Sequence, residues 1–170
     1  MKTIQLDEST DVLLDPIKSI LGSMTNSQRM LEIYTQPSIV QMMQKGIDPT
    51  DLSHVREDRI VMFSDIASFT TMSESLPATE IERVLDAYFE AASTAVYSHK
   101  GEINKLTGDG FLAHFGAENA DGAMDAALEI LTSLERLRTG ADDTSPLKFL
   151  YCGIGLARGS VTIGNFGSRK

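Results

Sequence analysis

One cysteine, Cys152, stands in a chain of 170 residues, which excludes an internal disulfide and fits a reducing compartment. Basic residues are also short, at 15 Lys and Arg against 24 Asp and Glu, for a net charge of −9. That balance argues against a general nucleic-acid surface or an anionic-membrane surface. No apolar run approaches the roughly 20 residues of a membrane span. The N-terminus lacks the basic-then-apolar order of a signal peptide, because Asp7, Glu8 and Asp11 follow closely. There is no internal repeat and no low-complexity tract. These absences predict a soluble, cytoplasmic protein with neither nucleic-acid nor membrane partners. Any polyphosphate site must be local and must lean on metal ions for neutralisation. The 42% hydrophobic content is enough for one sizeable core plus an accessory element.

The pattern changes near Gly46–Glu57. Before it, Leu13, Ile17, Ile20, Met24, Ser27, Leu31 and Tyr34 follow a heptad spacing with one weak position at Ser27. Pro16 falls in the first helical turn and Pro37 closes the helix. The spacing suits either a dimeric coiled coil over 13–34 or an amphipathic helix packed on its own domain; the former is preferred. A short helix over Ser38–Lys45 ends at Gly46, and Ile47–Glu57 reads as linker.

From Asp58 onward strands and helices alternate. Ile60–Phe63 is an unbroken apolar run, as expected of a central strand covered on both faces. Pro77 opens a helix with Ile81, Val84, Leu85, Tyr88, Phe89, Ala92 and Val96 on one face, and Gly101 lies past its end. Glu102–Leu106 and Phe111–Phe115 form a hairpin around Thr107-Gly108-Asp109-Gly110. A second helix, stopping near Gly140, shows Ala123, Met124, Ala127, Leu128, Leu131 and Leu134. Leu147–Ala157 reads as a further strand and Val161–Ile163 as the start of another. The order β-α-β-β-α-β predicts an α+β, ferredoxin-like sheet with helices on one face, behind a helical coiled-coil linker. That fold alone decides no function.

The first strand runs into Asp65, and the hairpin turn presents Asp109, 109 − 65 = 44 residues later. In this topology the two strands are neighbours, so both carboxylates can converge at one end of the sheet. Such a pair repels and raises one pKa unless a cation lies between. Hard oxygen ligands suit Mg²⁺ or Mn²⁺, which take their remaining ligands from water and substrate phosphates. Singly, each residue has an ordinary reading as a helix cap or an Asp-Gly turn. The flanking residues add weight. Ser64-Asp65-Ile66-Ala67-Ser68-Phe69-Thr70 could turn backbone N–H groups toward a triphosphate, and Lys105 places a cation four residues before Asp109.

With Ala113-His114-Phe115-Gly116 completing the hairpin, these segments resemble the class III adenylate/guanylate cyclase domain over about Arg59–Ser168. That family shows Phe-(Ser/Ala)-Asp-Ile-x-x-Phe-(Ser/Thr), then Lys-x-x-Gly-Asp about forty residues on, and the combination is highly specific. The resemblance implies a palm-type domain over 58–170 that converts ATP to 3′,5′-cyclic AMP and pyrophosphate. It assigns two Mg²⁺ or Mn²⁺ ions to Asp65, Asp109 and the carbonyl of Ile66. The triphosphate falls to Ala67, Ser68, Phe69 and Thr70, and the adenine to Lys105. A Lys donates to the N1 acceptor of adenine, whereas guanine carries an N–H there. Active members are dimers, so a homodimer through 13–34 and the cyclase face is implied.

Met1–Leu6, Pro16–Leu21 and Leu31–Tyr34 further resemble the junction of blue-light-activated bacterial adenylate cyclases, where a flavin-binding BLUF domain precedes a coiled linker. This implies that 1–6 is the last strand of a sensor and 7–57 the linker, with no flavin bound by these residues. The family's second base-reading residue, its ribose-positioning Asn and its transition-state Arg would lie beyond Lys170, so these 170 residues are expected to turn over little. Two rival readings are a non-catalytic dimerisation or regulatory module and a guanylate cyclase. Another palm-type phosphotransferase, of the diguanylate cyclase kind, is opposed by the missing Gly-Gly-Asp/Glu-Glu-Phe signature. His54, His99 and His114 have no ligand-like spacing and read as structural or surface groups, and Cys152 reads as buried and inert. Gly153, Gly155 and Gly159 only superficially resemble a dinucleotide fingerprint, because no helical pattern follows them.

Overall fold

The computed structural model describes residues 40, 43–46 and 55–163, within two compact units, Met1–Asp51 and Leu52–Lys170. The expected coiled coil over 13–34, the strand remnant at 1–6 and the turn at Asn165–Gly167 lie outside the described residues. In the first unit Val40, Met43 and Gln44 are helical, and the Gly46 N–H donates to the Met43 carbonyl at 2.9 Å. The turn thus closes where the sequence places the end of the short helix.

The second unit runs β1 (Val55–Ile66), α1 (Phe69–Ser75), α2 (Ala78–Ser98), β2 (Glu102–Leu106), β3 (Gly110–Gly116), α3 (Ala120–Gly140), a 3₁₀ turn at Pro146–Phe149 and β4 (Cys152–Ile163). The sheet order is β2-β3-β1-β4 and every neighbouring pair is antiparallel. The expected alternation is present, with one addition, since two helices rather than one connect β1 to β2.

Side-chain alternation along β1 sets the layers. Ile60, Met62, Ser64 and Ile66 point into the core beneath α2 and α3, whereas Phe63 and Asp65 point the other way. The run Ile60–Phe63 therefore does not mark a strand covered on both faces, because Phe63 is 57% exposed. The helices cover one face only. Pro77 sits at the cap of α2, where its carbonyl accepts from Glu80 and Ile81 and no N–H is missed. Val84, Tyr88, Ala92, Ala95 and Val96 of α2 are buried, and Ile81, Leu85 and Phe89 are half-buried. The left-handed residue after α2 is Lys100, at φ 60°, and not the glycine that follows.

Two expectations are corrected. The buried face of α3 is Ala123, Ala126, Ala127, Ile130 and Leu134, while Met124, Leu128 and Leu131 are 53%, 54% and 44% exposed. Small alanines allow this helix close to the sheet, and the larger side chains are left outside. Leu147–Ala157 is not one strand. Pro146 and the Ser145 side chain, which accepts from the Leu147 N–H at 3.4 Å, start a 3₁₀ turn that buries Leu147 and Leu150. β4 then runs unbroken from Cys152 through Val161 to Ile163.

His114 on β3 lies between Glu102 of β2 and Val61 of β1, and its Nδ1 is buried without a partner. Burial is the main cause that holds its pKa below the ordinary 6.5; Arg59 adds to it, and Glu102 and Glu57 oppose it. The unfolded chain therefore takes up this proton at a pH where the folded chain does not. The contribution is intact above about pH 6.5 and is lost as pH falls below it. The melting temperature should drop between about pH 7.5 and 5.5. His114→Gln should remove part of that drop in thermal melts, whereas equal pH slopes for the two proteins would refute the assignment.

Candidate active site

Two strands and one turn bring the acidic residues together. Asp65 is the penultimate residue of β1 and pairs with Gly110, the first residue of β3. Asp109 precedes that glycine in a turn closed by the Thr107 N–H donating to the Gly110 carbonyl at 2.8 Å. Gly108 holds φ +87°, the left-handed conformation this turn needs and glycine supplies without strain. The Ile66 N–H donates to the Asp109 carbonyl at 3.1 Å, so the turn is tied to the end of β1.

Gly110 makes the close approach possible. A Cβ there would collide with the Ser64 carbonyl oxygen and come within 2.8 Å of Asp65 Oδ1. The Asp65 and Asp109 carboxyl groups are within hydrogen-bond reach of each other. Desolvation at the strand end, then the charge of Asp109 and its hydrogen bond, push the Asp65 carboxyl above its ordinary range, while the Ile66 N–H pulls the other way. Neither carboxylate forms an ion pair with a basic side chain among the described residues.

This donor set fits hard divalent cations. Two neighbouring carboxylates with no ion-paired counter-charge among the described residues form a negative focus that Mg²⁺ or Mn²⁺ would relieve. No group of three or more ligand side chains occurs among the described residues. Further ligands would therefore be backbone carbonyls, water or substrate oxygens, as is usual for Mg²⁺.

The segment after Asp65 departs in part from expectation. Ile66 is buried and fixes the end of β1 in the core. The Ala67 N–H donates to the Tyr151 carbonyl at 2.8 Å, so it is already engaged and does not face a ligand. Ser68 adopts φ 58°, ψ 28°, left-handed backbone in a non-glycine residue, and α1 starts directly after it. The first N–H-to-carbonyl bond of α1 runs from Met72 to Ser68, so the N–H groups of Phe69 and Thr70 precede the ladder.

Lys105 is exposed on β2 opposite Leu112, after an irregularity in the pairing between Ile103 and Lys105. Leu112 pairs in turn with Phe63 of β1. Lys105, Leu112 and Phe63 therefore form a row across the uncovered face, and Asp65 stands two residues beyond Phe63 on that face. Strand spacing puts Lys105 about 10 Å sideways from β1. The site's anchoring on its other side was not read from the sequence. Arg138 of α3 donates to the Leu150 carbonyl at 2.9 Å and lies 4.1 Å over the Tyr151 ring, steadying the segment that holds Ala67. Arg138 lies in the last turn of its helix, where a cation is expected anyway, so only its position could have drawn attention.

The profile of the family described as "Adenylate and Guanylate cyclase catalytic domain" matches residues 53–170. The chain belongs to the class III adenylate and guanylate cyclase family. A bacterial light-regulated adenylyl cyclase aligns with it over 99% of this chain and 50% of its own, at 37% identity and a TM-score of 0.88. The guanylyl cyclase Cya2 aligns over 70% of this chain and 62% of its own, at 30% identity and a TM-score of 0.61. Photoactivated adenylate cyclase subunit beta of Euglena gracilis is 31% identical over 154 residues, 90% of this chain and 18% of that protein. The chain thus spans half or less of the length of these light-regulated relatives. No helix among the described residues is long and apolar enough to cross a membrane.

Proposed function

We propose that this chain carries an adenylate cyclase catalytic domain that converts ATP to 3′,5′-cyclic AMP and pyrophosphate. The observation that carries the reading is the pair Asp65 and Asp109, brought into mutual reach at the end of β1 with no basic partner among the described residues. Asp65, Asp109 and the Ile66 carbonyl would hold two Mg²⁺ or Mn²⁺ ions, which when bound lower the pKa of the ribose 3′-hydroxyl and neutralise charge on the leaving pyrophosphate. The Phe69 and Thr70 N–H groups, with the Ser68 backbone turned by its left-handed conformation, accept the triphosphate. Lys105 donates to adenine N1. Its exposure on the same face as Asp65 supports that role.

The domain works as a homodimer. Phe63, 57% exposed, and the half-buried Leu112 beside it leave apolar surface on the uncovered face next to Asp65 for a second copy to cover. The heptad spacing over 13–34 adds a second contact. Similarity across 99% of the chain to a light-regulated cyclase supports the part of residues 7–57 before β1 as a linker that couples a sensor to the cyclase domain, while Val55–Glu57 belong to the sheet.

A guanylate cyclase is the second reading, favoured by the likeness to Cya2. The two are separated by Mn²⁺-dependent binding and cyclic-product formation with ATP and with GTP. ATP should be preferred, and Lys105→Glu should cut that preference by about tenfold, the worth of one hydrogen bond to a charged group. A strong GTP preference in the parent would overturn the adenylate assignment. Nucleotide binding that needs no metal and survives Asp65→Ala would favour the non-catalytic module instead.

A further inference from the structure

The mechanism above makes no use of a buried polar cluster lying directly behind the two carboxylates. Ser64 immediately precedes Asp65 on β1, and the two side chains leave the strand in opposite directions. Asp65 reaches the uncovered face, while Ser64 is only 4% exposed and enters the core. There the hydroxyl of Tyr88, a wholly buried residue of α2, donates to Ser64 Oγ at 2.7 Å. The Tyr88 ring lies 6.0 Å from the ring of Phe111, which is the β3 residue paired with Ser64.

Tyr88 therefore touches both strands one residue behind the metal end. On β1 it holds Ser64, the neighbour of Asp65. On β3 it packs on Phe111, two residues after Asp109. The Ser64 carbonyl is the atom that lies over Gly110, so a shift of Ser64 along the strand moves the contact that separates the two carboxylates. A phenylalanine would fill the same volume without bringing a hydroxyl into the core, and a buried hydroxyl is costly unless it is satisfied. Burial, chiefly, keeps the phenol protonated, with the charges of Asp65 and Asp109 acting in the same direction, so the hydroxyl remains a donor.

We infer that Tyr88 is a positioning residue for the divalent-cation site, setting the placement of Asp65 against Asp109 through its hydrogen bond to Ser64. The inference rests on the metal-holding role proposed above for those two aspartates. Tyr88 touches neither substrate nor ion. It acts as the groups behind metal ligands generally do, by orienting the ligands, and loss of such a group typically weakens metal binding by about 10–100-fold.

The test uses the purified 170-residue protein, with Mn²⁺ and a non-cyclisable ATP analogue as probe. Bound Mn²⁺ is read by electron paramagnetic resonance, and melting in metal-free buffer is read in parallel. Tyr88→Phe should weaken Mn²⁺ binding about tenfold while the metal-free protein stays folded. Ser64→Ala should lose about as much, and the double variant no more than either single one, because both changes break one connection. Ser64→Thr, which returns a hydroxyl, should recover most of the affinity; this variant keeps the test sound if Ser64→Ala folds poorly. Mn²⁺ affinity within about twofold of the parent in Tyr88→Phe, or losses that add in the double variant, would overturn the inference and leave Tyr88 a satisfied core hydroxyl. A parent that binds no Mn²⁺ at all would overturn the metal reading and this inference together.

Discussion

Asp109→Asn is expected to raise the melting temperature of the metal-free protein and to abolish its stabilisation by Mn²⁺ and ATP. The two effects have one cause. Desolvation first, and then the charge of Asp109, raise the proton affinity of Asp65, so the metal-free fold carries a repulsion between the two carboxylates. An amide of the same shape removes one charge and leaves the turn intact. For a solvent-screened pair at this range the relief is about 1 kcal/mol, or about 2–4 °C in a domain of this size. Ligands present at about 100 times their dissociation constant stabilise by about 2.7 kcal/mol in the parent, and that gain disappears with the site. Thermal melts with and without Mn²⁺ and ATP read both signs. A variant that melts below the parent without metal, or that keeps the metal-induced shift, would contradict the assignment.

Gly110→Ala should damage both the fold and the site. The added carbon would meet the Ser64 carbonyl, Asp65 Oδ1 at 2.8 Å and Thr107 Oγ1 at 3.2 Å. The carbonyl belongs to the central strand and cannot give way without loosening the pairing of β1 with β3. Overpacking of this kind costs about 2–3 kcal/mol, or about 5–10 °C. Of the two side chains in the way Asp65 is the nearer, so it should be displaced and metal binding lost as well. Gly155→Ala is the control, because a Cβ there meets nothing within 4 Å. Its stability should stay within about 0.5 kcal/mol of the parent. Equal melting temperatures for the two variants would show that the close approach at Gly110 is not tight.

The parts of this site that were legible in the sequence are those that local rules determine. A strand running into Asp65, and a Gly-Asp-Gly turn between two strand patterns, place the carboxylates with little help from tertiary structure. Lys105 follows from the same hairpin. What escaped the sequence depends on comparisons between distant residues. Met124, Leu128 and Leu131 share helical spacing with one another, as Ala123, Ala126, Ile130 and Leu134 do, and larger apolar side chains are the natural choice for the inner face. The structure buries the smaller set, because α3 lies close to the sheet. Leu147 and Leu150 suit a strand or a 3₁₀ turn equally, and the hydroxyl of Ser145 decides between them. That the Ala67 N–H is taken by the Tyr151 carbonyl cannot be read at either position alone. Tyr88 reads as one more apolar residue on α2 until its partner, 24 residues earlier, is brought beneath it.

The uncovered face of the sheet also has a colloidal consequence. Each copy carries a net charge of −9, so two copies approaching through water repel over distances comparable to the Debye length, about 8 Å at physiological ionic strength. At contact the balance reverses, since Phe63 and Leu112 of that face gain by leaving water. Pairing is thus opposed at long range and favoured at short range. Divalent cations at Asp65 and Asp109 would weaken the barrier where the two faces meet, so the ions that serve the chemistry would also ease the encounter.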